Sequence, residues 1–231
     1  MKYDVIIVGA GPGGIYSAYE LMKKCSDKKI AVFDSGYSLK KRHCPIDGEK
    51  VKACIKCKSC SIMSGFGGAG AFSDGKYNIT NDFGGTLYEY IGKKAATELM
   101  QYVDDINMAH GGEGTKMYST AGTNLKKVCL QNRLKLLNAS VRHLGTDINL
   151  VVLGQLYDEL KEHVDFYFES PVSHIECLEN GGYRVWSNDQ SYDCGKCIVS
   201  VGRSGSKWME HICKELDIPT KSNRVDIGVR V

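Results

Sequence analysis

The first apolar segments of the chain alternate with a glycine turn and a helical segment. Tyr3 to Val8 is rich in β-branched residues, which is typical of a strand buried on both faces. After the turn, Ile15 to Lys24 contains helix formers without a breaker, and Lys29 to Asp34 is a second short apolar run. Strand, turn, helix and strand in this order predict a βαβ unit with a parallel pair of strands.

The middle of the chain has a different pattern. Residues 35–62 are basic and rich in cysteine, and they show no period of 2 or 3.6, which is typical of a long functional loop. Leu87 to Met108 and Leu125 to Leu144 carry apolar residues three and four positions apart, which predicts helices. Val151 to His163 is predicted to be a further helix.

Strands are predicted again after this helix. Asp165 to Ser170 is predicted to be a strand, and Val172 to Leu178 with Tyr183 to Ser187 resembles an antiparallel hairpin. The hairpin prediction rests on Asn180-Gly181-Gly182, a good signal for a tight turn. Lys196 to Val201 is an apolar strand that ends at Gly202.

The last residues predict a helix from Ser206 to Leu216 and a strand from Val225 to Val231. No residue follows this strand to cover it, so we expect the chain to be one half of a larger protein. Together the elements predict an α/β fold: a Rossmann-like parallel sheet with a small antiparallel β-sheet and a helical insertion. We expect one domain over residues 1–231, with a cysteine- and glycine-rich insertion at 36–76 and a helical insertion at about 84–145.

Composition and charge exclude several classes of protein. The 231 residues are 42% hydrophobic and 25% charged, which is ordinary for a globular protein and not for a disordered one. The net charge of +3 is too small to indicate nucleic acid or a membrane surface. The first apolar run is too short for a signal peptide, so we expect a cytoplasmic protein whose 10 cysteines are free thiols, metal ligands or redox groups.

The turn after the first strand matches the G-x-G-x-x-G pattern of dinucleotide-binding proteins. The context makes the match more specific, because the pattern follows a predicted buried strand and begins a predicted helix. Gly9 would allow the tight turn, Gly11 would let a pyrophosphate approach, and Gly14 would let helix and strand pack closely. The whole motif is Gly9-Ala10-Gly11-Pro12-Gly13-Gly14.

An acidic residue ends the second predicted strand. Asp34 lies about 20 residues after Gly14, the usual place for a carboxylate that binds the ribose hydroxyls of adenosine. It would repel a 2′-phosphate, so NADP is disfavoured at this site. The motif alone leaves FAD and NAD open.

A second glycine-rich segment, from Gly65 to Lys76, is too dense in glycine for the interior of a strand or helix. One hypothesis is a loop that packs on a flavin ring or its phosphate arm, and the alternative is a flexible connector. Phe66 and Phe72 argue against a connector. The candidate contacts are Gly67, Gly68, Ala69, Gly70, Ser73 and Lys76.

Four cysteines form the second chemical signal. Cys54, Cys57 and Cys60 are spaced by two residues, and Cys44 precedes a proline upstream. These residues could hold an iron–sulfur cluster, bind zinc, act as redox thiols or remain unligated. Cys194 and Cys197 form another C-x2-C pair, which we interpret as structural because it overlaps a buried strand.

Several segments resemble a known family. DVIIVGAGPGG, VFDSG and CIVSVGRSG are similar to the FAD-binding domain of the glutathione-reductase-like flavoprotein superfamily. The chain is closer still to a bacterial family of FAD-dependent dehydrogenases, which it resembles at CPIDG, CIKCKSC, SGFGGAGAFSDGKY, HLGTD and DIGVRV. Members of that family continue well past DIGVRV.

The resemblance implies an FAD site. The pyrophosphate would lie against Gly9, Gly11 and Gly14, and the adenosine ribose against Asp34. The further residues that it implies as FAD contacts are Pro12, Gly13, Ser35, Val172, Ser200 and Gly202.

These observations favour an FAD-dependent oxidoreductase that moves a hydride or electron pair between FAD and an unknown substrate, with a possible relay through a cysteine-ligated cluster. One alternative is a non-catalytic nucleotide-binding half whose missing C-terminal part is supplied by a second chain. Another is a flavin-linked thiol–disulfide reductase. The partner is expected to be a small-molecule substrate or an electron partner, and the sequence assigns no catalytic residue.

Overall fold

The computed structural model describes residues 1–179 and 181–222. The described strands are β1 (Lys2–Val8), β2 (Ile30–Phe33), β3 (Lys76–Ile79), β4 (Met117–Ser119), β5 (Ser140–His143), β6 (Val164–Tyr167), β7 (Val172–Cys177), β8 (Tyr183–Ser187) and β9 (Gln190–Val199). The described helices are α1 (Pro12–Lys24), α2 (Tyr88–Ile91), α3 (Lys93–Asn107), α4 (Leu125–Gln131), α5 (Gly145–Leu160) and α6 (Ser206–Glu215).

Six of the strands form one mixed sheet in the order β6-β2-β1-β9-β8-β7. The parallel pairing of β1 with β2 confirms the predicted βαβ unit, with Val5 opposite Ile30 and Val8 opposite Phe33. β9 and β6 extend the parallel part, while β7, β8 and β9 pair antiparallel. The predicted turn residue Asn180 and the predicted strand Val225 to Val231 lie outside the described residues.

Hydrophobic side chains cover both faces of this sheet. Val5 and Ile7 of β1 belong to a cluster with α1 and α5, whereas Ile6 and Val8 belong to a cluster that includes Ile212 of α6. The alternation of side chains along a strand explains why β1 must be apolar on both faces. Within the described part of the chain, no helix is both long and apolar enough to cross a membrane.

A separate antiparallel sheet has the order β3-β5-β4, and two of its strands, β4 and β5, lie within the segment where the sequence predicted only helices. The predicted helix from Leu125 to Leu144 is wrong beyond α4, because Ser140–His143 pairs with strands on both sides. Helical spacing of leucines did not decide the structure, since no residue of α4 is buried. The helical insertion therefore contains strands as well, and α5 begins earlier than Val151.

A buried ion pair joins this sheet to α3. Arg142 of β5 donates two hydrogen bonds to Asp104, at 3.0 and 2.7 Å, and a third to the carbonyl of Thr115. The Asp104 side chain is 1% exposed, and its hydrogen bond raises the pKa of the Arg142 guanidinium above its ordinary value. The pair thus fixes the three-stranded sheet on the helix that packs beside the nucleotide fold.

Replacing Arg142 with methionine should destabilise the protein by about 3–5 kcal/mol, because it leaves the Asp104 carboxylate buried without its cation. The matched control is Lys94→Met, which removes a cation from an exposed pair with Glu98 and should change stability by less than about 1 kcal/mol. Urea unfolding of both variants measures the difference. Equal, small losses would show that the buried pair does not hold the sheet in place.

Candidate functional site

The turn between β1 and α1 leaves the start of the helix without a side-chain cap. Gly9 has a positive φ of 105°, and Gly11 is the N-cap of α1 with no side-chain hydrogen bond to the helix. Pro12 occupies the first helical turn, where its missing N–H has no consequence. The first N–H groups of α1, together with the positive end of its dipole, therefore suit an anion.

The three motif glycines of this turn differ in what a side chain would contact at each position. A Cβ on Gly14 would lie 1.8 Å from the carbonyl oxygen of Gly9, and one on Gly9 would lie 2.5 Å from the carbonyl oxygen of Ser200. These contacts agree with the predicted roles in tight turning and close packing. A Cβ on Gly11 would meet only the Cα of Gly68, at an ordinary 3.8 Å. Packing does not require glycine at position 11, which leaves room for its predicted role toward a ligand.

Asp34 follows β2 and is held beside the glycine turn. One carboxylate oxygen accepts the N–H of Ala10 and the other accepts the N–H of Gly36, both at 2.7 Å. Each oxygen has a further lone pair, so the carboxylate can still accept ribose hydroxyls. Ser170 donates its N–H to the Asp34 carbonyl, which brings the start of β7 at Val172 close to this side of the turn. Ser35 is exposed next to Asp34.

The second glycine-rich segment packs directly on the first. Gly67 donates its N–H to the Ala10 carbonyl at 2.8 Å. Gly67 and Gly68 have positive φ values of 86° and 57°, and a Cβ on Gly68 would lie 3.0 Å from the Cα of Gly11. The structure therefore brings together the two glycine-rich segments that the sequence singled out, and it excludes a free connector.

The exposed part of this loop runs from Gly68 through a single 3-10 turn. Ala69, Gly70 and Ser73 are exposed, so backbone and a hydroxyl face solvent next to the start of α1. The Ser73 hydroxyl donates to the Gly70 carbonyl at 2.7 Å. Lys76 pairs with Asp74 at 2.8 Å, in an exposed position. The two predicted polar side chains thus engage the loop itself in this structure.

Arg42 was not among the residues predicted from the sequence. Its side chain joins the C-terminal end of the cysteine-rich segment to the glycine-rich loop. Its guanidinium donates to the carbonyls of Ser61, Ile62 and Phe66 at 2.6–2.9 Å. It also lies 4.8 Å from the centroid of the Phe72 ring. Burial lowers the pKa of Arg42 from its ordinary value. No signal in the sequence separated this buried arginine from the exposed lysines around it.

The end of β9 completes the site on a third side. The Ser200 hydroxyl lies 3.3 Å from the Gly9 carbonyl, and the Ser200 Cβ would be 3.2 Å from a Cβ on Gly13. Gly202 has a positive φ of 62° and lines a cavity of about 400 Å³ between the end of β9 and α6. Ser200 therefore lies close to the glycine turn, and both Ser200 and Gly202 line this cavity.

The four predicted metal ligands are not brought together. Cys54, Cys57 and Cys60 are exposed, and Cys44 is half-buried. Over residues 1–179 and 181–222, no group of three or more histidine, cysteine or acidic side chains is arranged to hold a metal ion. The predicted cluster therefore has no preformed site in this arrangement of the loop.

The other C-x2-C pair agrees with its structural interpretation. Cys194 is buried within β9 and Cys197 is half-buried. A hydrogen bond with Cys194, together with burial, raises the pKa of the Cys197 thiol well above its ordinary value. The same hydrogen bond lowers the pKa of the Cys194 thiol, so the structural interpretation rests on the burial of Cys194 within β9 and not on titration.

Comparisons with known proteins place the fold. No family model matches the chain. An uncharacterized protein of Clostridium beijerinckii is 23% identical over 233 residues, and the match covers all of this chain but only 36% of that protein. Glycine oxidase from Geobacillus kaustophilus is 14% identical with a TM-score of 0.51, covering 94% of this chain and 58% of the oxidase. L-amino acid deaminase from Proteus vulgaris is 12% identical with a TM-score of 0.48, covering 94% and 50%.

The chain therefore shares the α/β fold of glycine oxidase. This confirms the fold class that the motifs implied. The chain spans about a third of the length of its curated relative and about half to three fifths of these two structures.

The glycine turn offers a direct test of the packing argument. Gly14→Ala should lower the free energy of unfolding by several kcal/mol, because the new methyl group would overlap the Gly9 carbonyl oxygen. Gly11→Ala is the matched control, since its methyl group meets only an ordinary contact, and it should unfold within about 1 kcal/mol of the wild type. Similar unfolding midpoints for the two variants would contradict the described geometry of the turn.

Proposed function

We propose that the chain binds FAD and forms part of an oxidoreductase that moves a hydride or electron pair between the flavin and a small-molecule substrate or electron partner. The observation that carries the proposal is the meeting of the two glycine-rich segments. The hydrogen bond from Gly67 to Ala10 joins them beside the Asp34 carboxylate. Exposed backbone, a helix N-terminus and a fixed carboxylate together fit the phosphate and ribose ends of a dinucleotide.

Each part of the site has a proposed task. Gly11, Gly13 and Gly14 would present N–H groups of α1 to the pyrophosphate, and Asp34 would accept the ribose hydroxyls and repel a 2′-phosphate. The backbone at Val172 would contact adenine. The bound flavin would supply the redox chemistry, while this chain supplies binding and orientation.

The remaining contacts would come from two further places. Gly68, Ala69 and Gly70 would offer backbone to the phosphate arm, and Ser200 with Gly202 would lie beside the cofactor from the end of β9. Gly9 and Pro12 would shape the turn, and Ser73 and Ser35 would give polar contacts at its edges. A cytoplasmic location is part of this proposal.

Further polypeptide is part of the proposal, because the chain covers only 36% of its curated relative. The rest of the substrate pocket would come from additional residues or from a second chain. If the additional part carries all of the substrate contacts, this chain is a nucleotide-binding half without turnover of its own.

Replacing Gly11 with alanine tests FAD binding at a position where the packing of the protein itself tolerates a methyl group. The fold should be unchanged, since the nearest atom is 3.8 Å from the new methyl group. The methyl group would separate the pyrophosphate from the backbone, so the dissociation constant for FAD should rise by at least about tenfold. Quenching of flavin fluorescence on titration measures it. Equal affinity in the variant would contradict the placement of the pyrophosphate at this turn.

The cysteine-rich segment gives a second candidate chemistry. The spacing of Cys54, Cys57 and Cys60 favours an iron–sulfur cluster, with Cys44 as a fourth ligand. Exposure of three thiols on one loop supports a redox or metal-binding role, and a thiol–disulfide reductase is the alternative. Because the described loop does not form the site, no electron transfer is assigned through it.

Metal content of the protein, purified without oxygen, separates these chemistries. A cluster predicts about four irons per chain, lost together with their absorption in Cys57→Ser. Cys197→Ser is the control, because that thiol lies in β9 and should leave the iron content unchanged. Iron-free protein with alkylation-sensitive activity would favour the redox thiols instead.

A further inference from the structure

The segment from Leu144 to Asn149, which contains part of the HLGTD motif, donates hydrogen bonds to carbonyl groups of the glycine-rich loop. Five hydrogen bonds run from this segment to carbonyl oxygens of residues 70–75. The pairs are Leu144 N to Gly75 O (2.9 Å), Gly145 N to Asp74 O (3.0 Å), Thr146 Oγ1 to Ser73 O (3.0 Å), Asn149 Nδ2 to Gly70 O (3.0 Å) and Asn149 Nδ2 to Ala71 O (3.1 Å).

Asn149 is the central residue of this contact. Its side chain is 1% exposed on α5, and its amide nitrogen uses both hydrogens on the loop. Its amide oxygen accepts the hydroxyl of Tyr77 from β3 at 2.9 Å. The tyrosine therefore fixes which end of the amide faces the loop, and both amide hydrogens and the amide oxygen have a partner.

The glycines of the loop need such support because they place no side chains in the core. Glycine backbone has wide conformational freedom, and Gly70 makes no close contact where a side chain would be. At its start the loop is held by the bond from Gly67 to Ala10, and by Arg42 on the Phe66 carbonyl. Toward its end it is held by the segment 144–149, by the pairing of β3 with β5, and by Ala71 and Phe72, which pack in the hydrophobic core.

We propose that Asn149 and Thr146 are positioning residues that hold the glycine-rich loop in the conformation that receives the dinucleotide. The identity of the ligand rests on the proposed function, while the holding of the loop does not. Binding to a backbone that is already ordered avoids the entropy of ordering it on association. Loss of the asparagine donors should therefore weaken cofactor binding even where the fold survives.

The first experiment measures amide hydrogen exchange of the ligand-free protein. In Asn149→Asp both donors are lost while the shape is kept, so residues 69–75 should exchange at least about tenfold faster. Asn107→Asp is the matched control, because Asn107 is equally buried on α3 and bonds Tyr16 instead of the loop. Unchanged exchange of the loop in Asn149→Asp overturns the proposal, whatever the protein binds.

If a buried aspartate prevents folding, a milder pair of variants tests the same proposal. Thr146→Val removes one exposed hydroxyl donor, and Thr123→Val removes a hydroxyl that bonds the Thr120 carbonyl elsewhere. Exchange near Ser73 should rise by about threefold in the first variant and not in the second.

The second measurement is FAD affinity of the same variants by fluorescence titration. Asn149→Asp should bind FAD about tenfold more weakly than wild type, and Asn107→Asp should bind it within about twofold after correction for unfolded protein. Faster loop exchange with unchanged affinity overturns the role toward the cofactor. Wild-type protein that binds no FAD refutes the proposed function, and the exchange result still decides whether the segment holds the loop.

Discussion

The contact between the two glycine-rich segments is the feature on which the rest of the site depends. It is a backbone contact, made by the N–H of Gly67 on the carbonyl of Ala10. Side chains at Gly11 and Gly68 would thicken the two chains where they touch, at 3.0–3.8 Å from the opposing Cα. The missing side chain at Gly68 therefore lets the glycine-rich loop return to the first turn of the nucleotide fold, across the 56 positions between Ala10 and Gly67.

Buried polar side chains stabilise the segments that have no regular structure. Arg42 bonds a carbonyl group at the start of the glycine-rich loop and Asn149 bonds two in its middle, and the ion pair of Arg142 with Asp104 anchors the three-stranded sheet beside it. Each of these groups would be costly to bury without partners. Their hydrogen bonds explain how irregular backbone is held against the helices and strands around it.

The sequence predicted the parts of the fold in which local pattern and packing agree. β1, the glycine turn, α1 and β2 form one continuous local unit, and Asp34 falls where the motif requires it. The strand Ser140–His143 was missed because leucines at helical spacing precede it, while its pairing with β3 and β4 joins residues far apart in the chain. Arg42 and Asn149 were missed because only tertiary contacts distinguish them from ordinary polar residues. The pattern of cysteines predicted a cluster that the described loop does not form.

The most direct test of the account is the absorption spectrum of the purified chain after incubation with FAD and removal of free cofactor by gel filtration. The account predicts flavin absorption bands that stay with the protein at close to one FAD per chain. The same experiment with NADP should leave no cofactor bound, because the Asp34 carboxylate repels a 2′-phosphate. A colourless protein that unfolds cooperatively, and is therefore correctly folded, would contradict the central claim that the two glycine-rich segments form a flavin site.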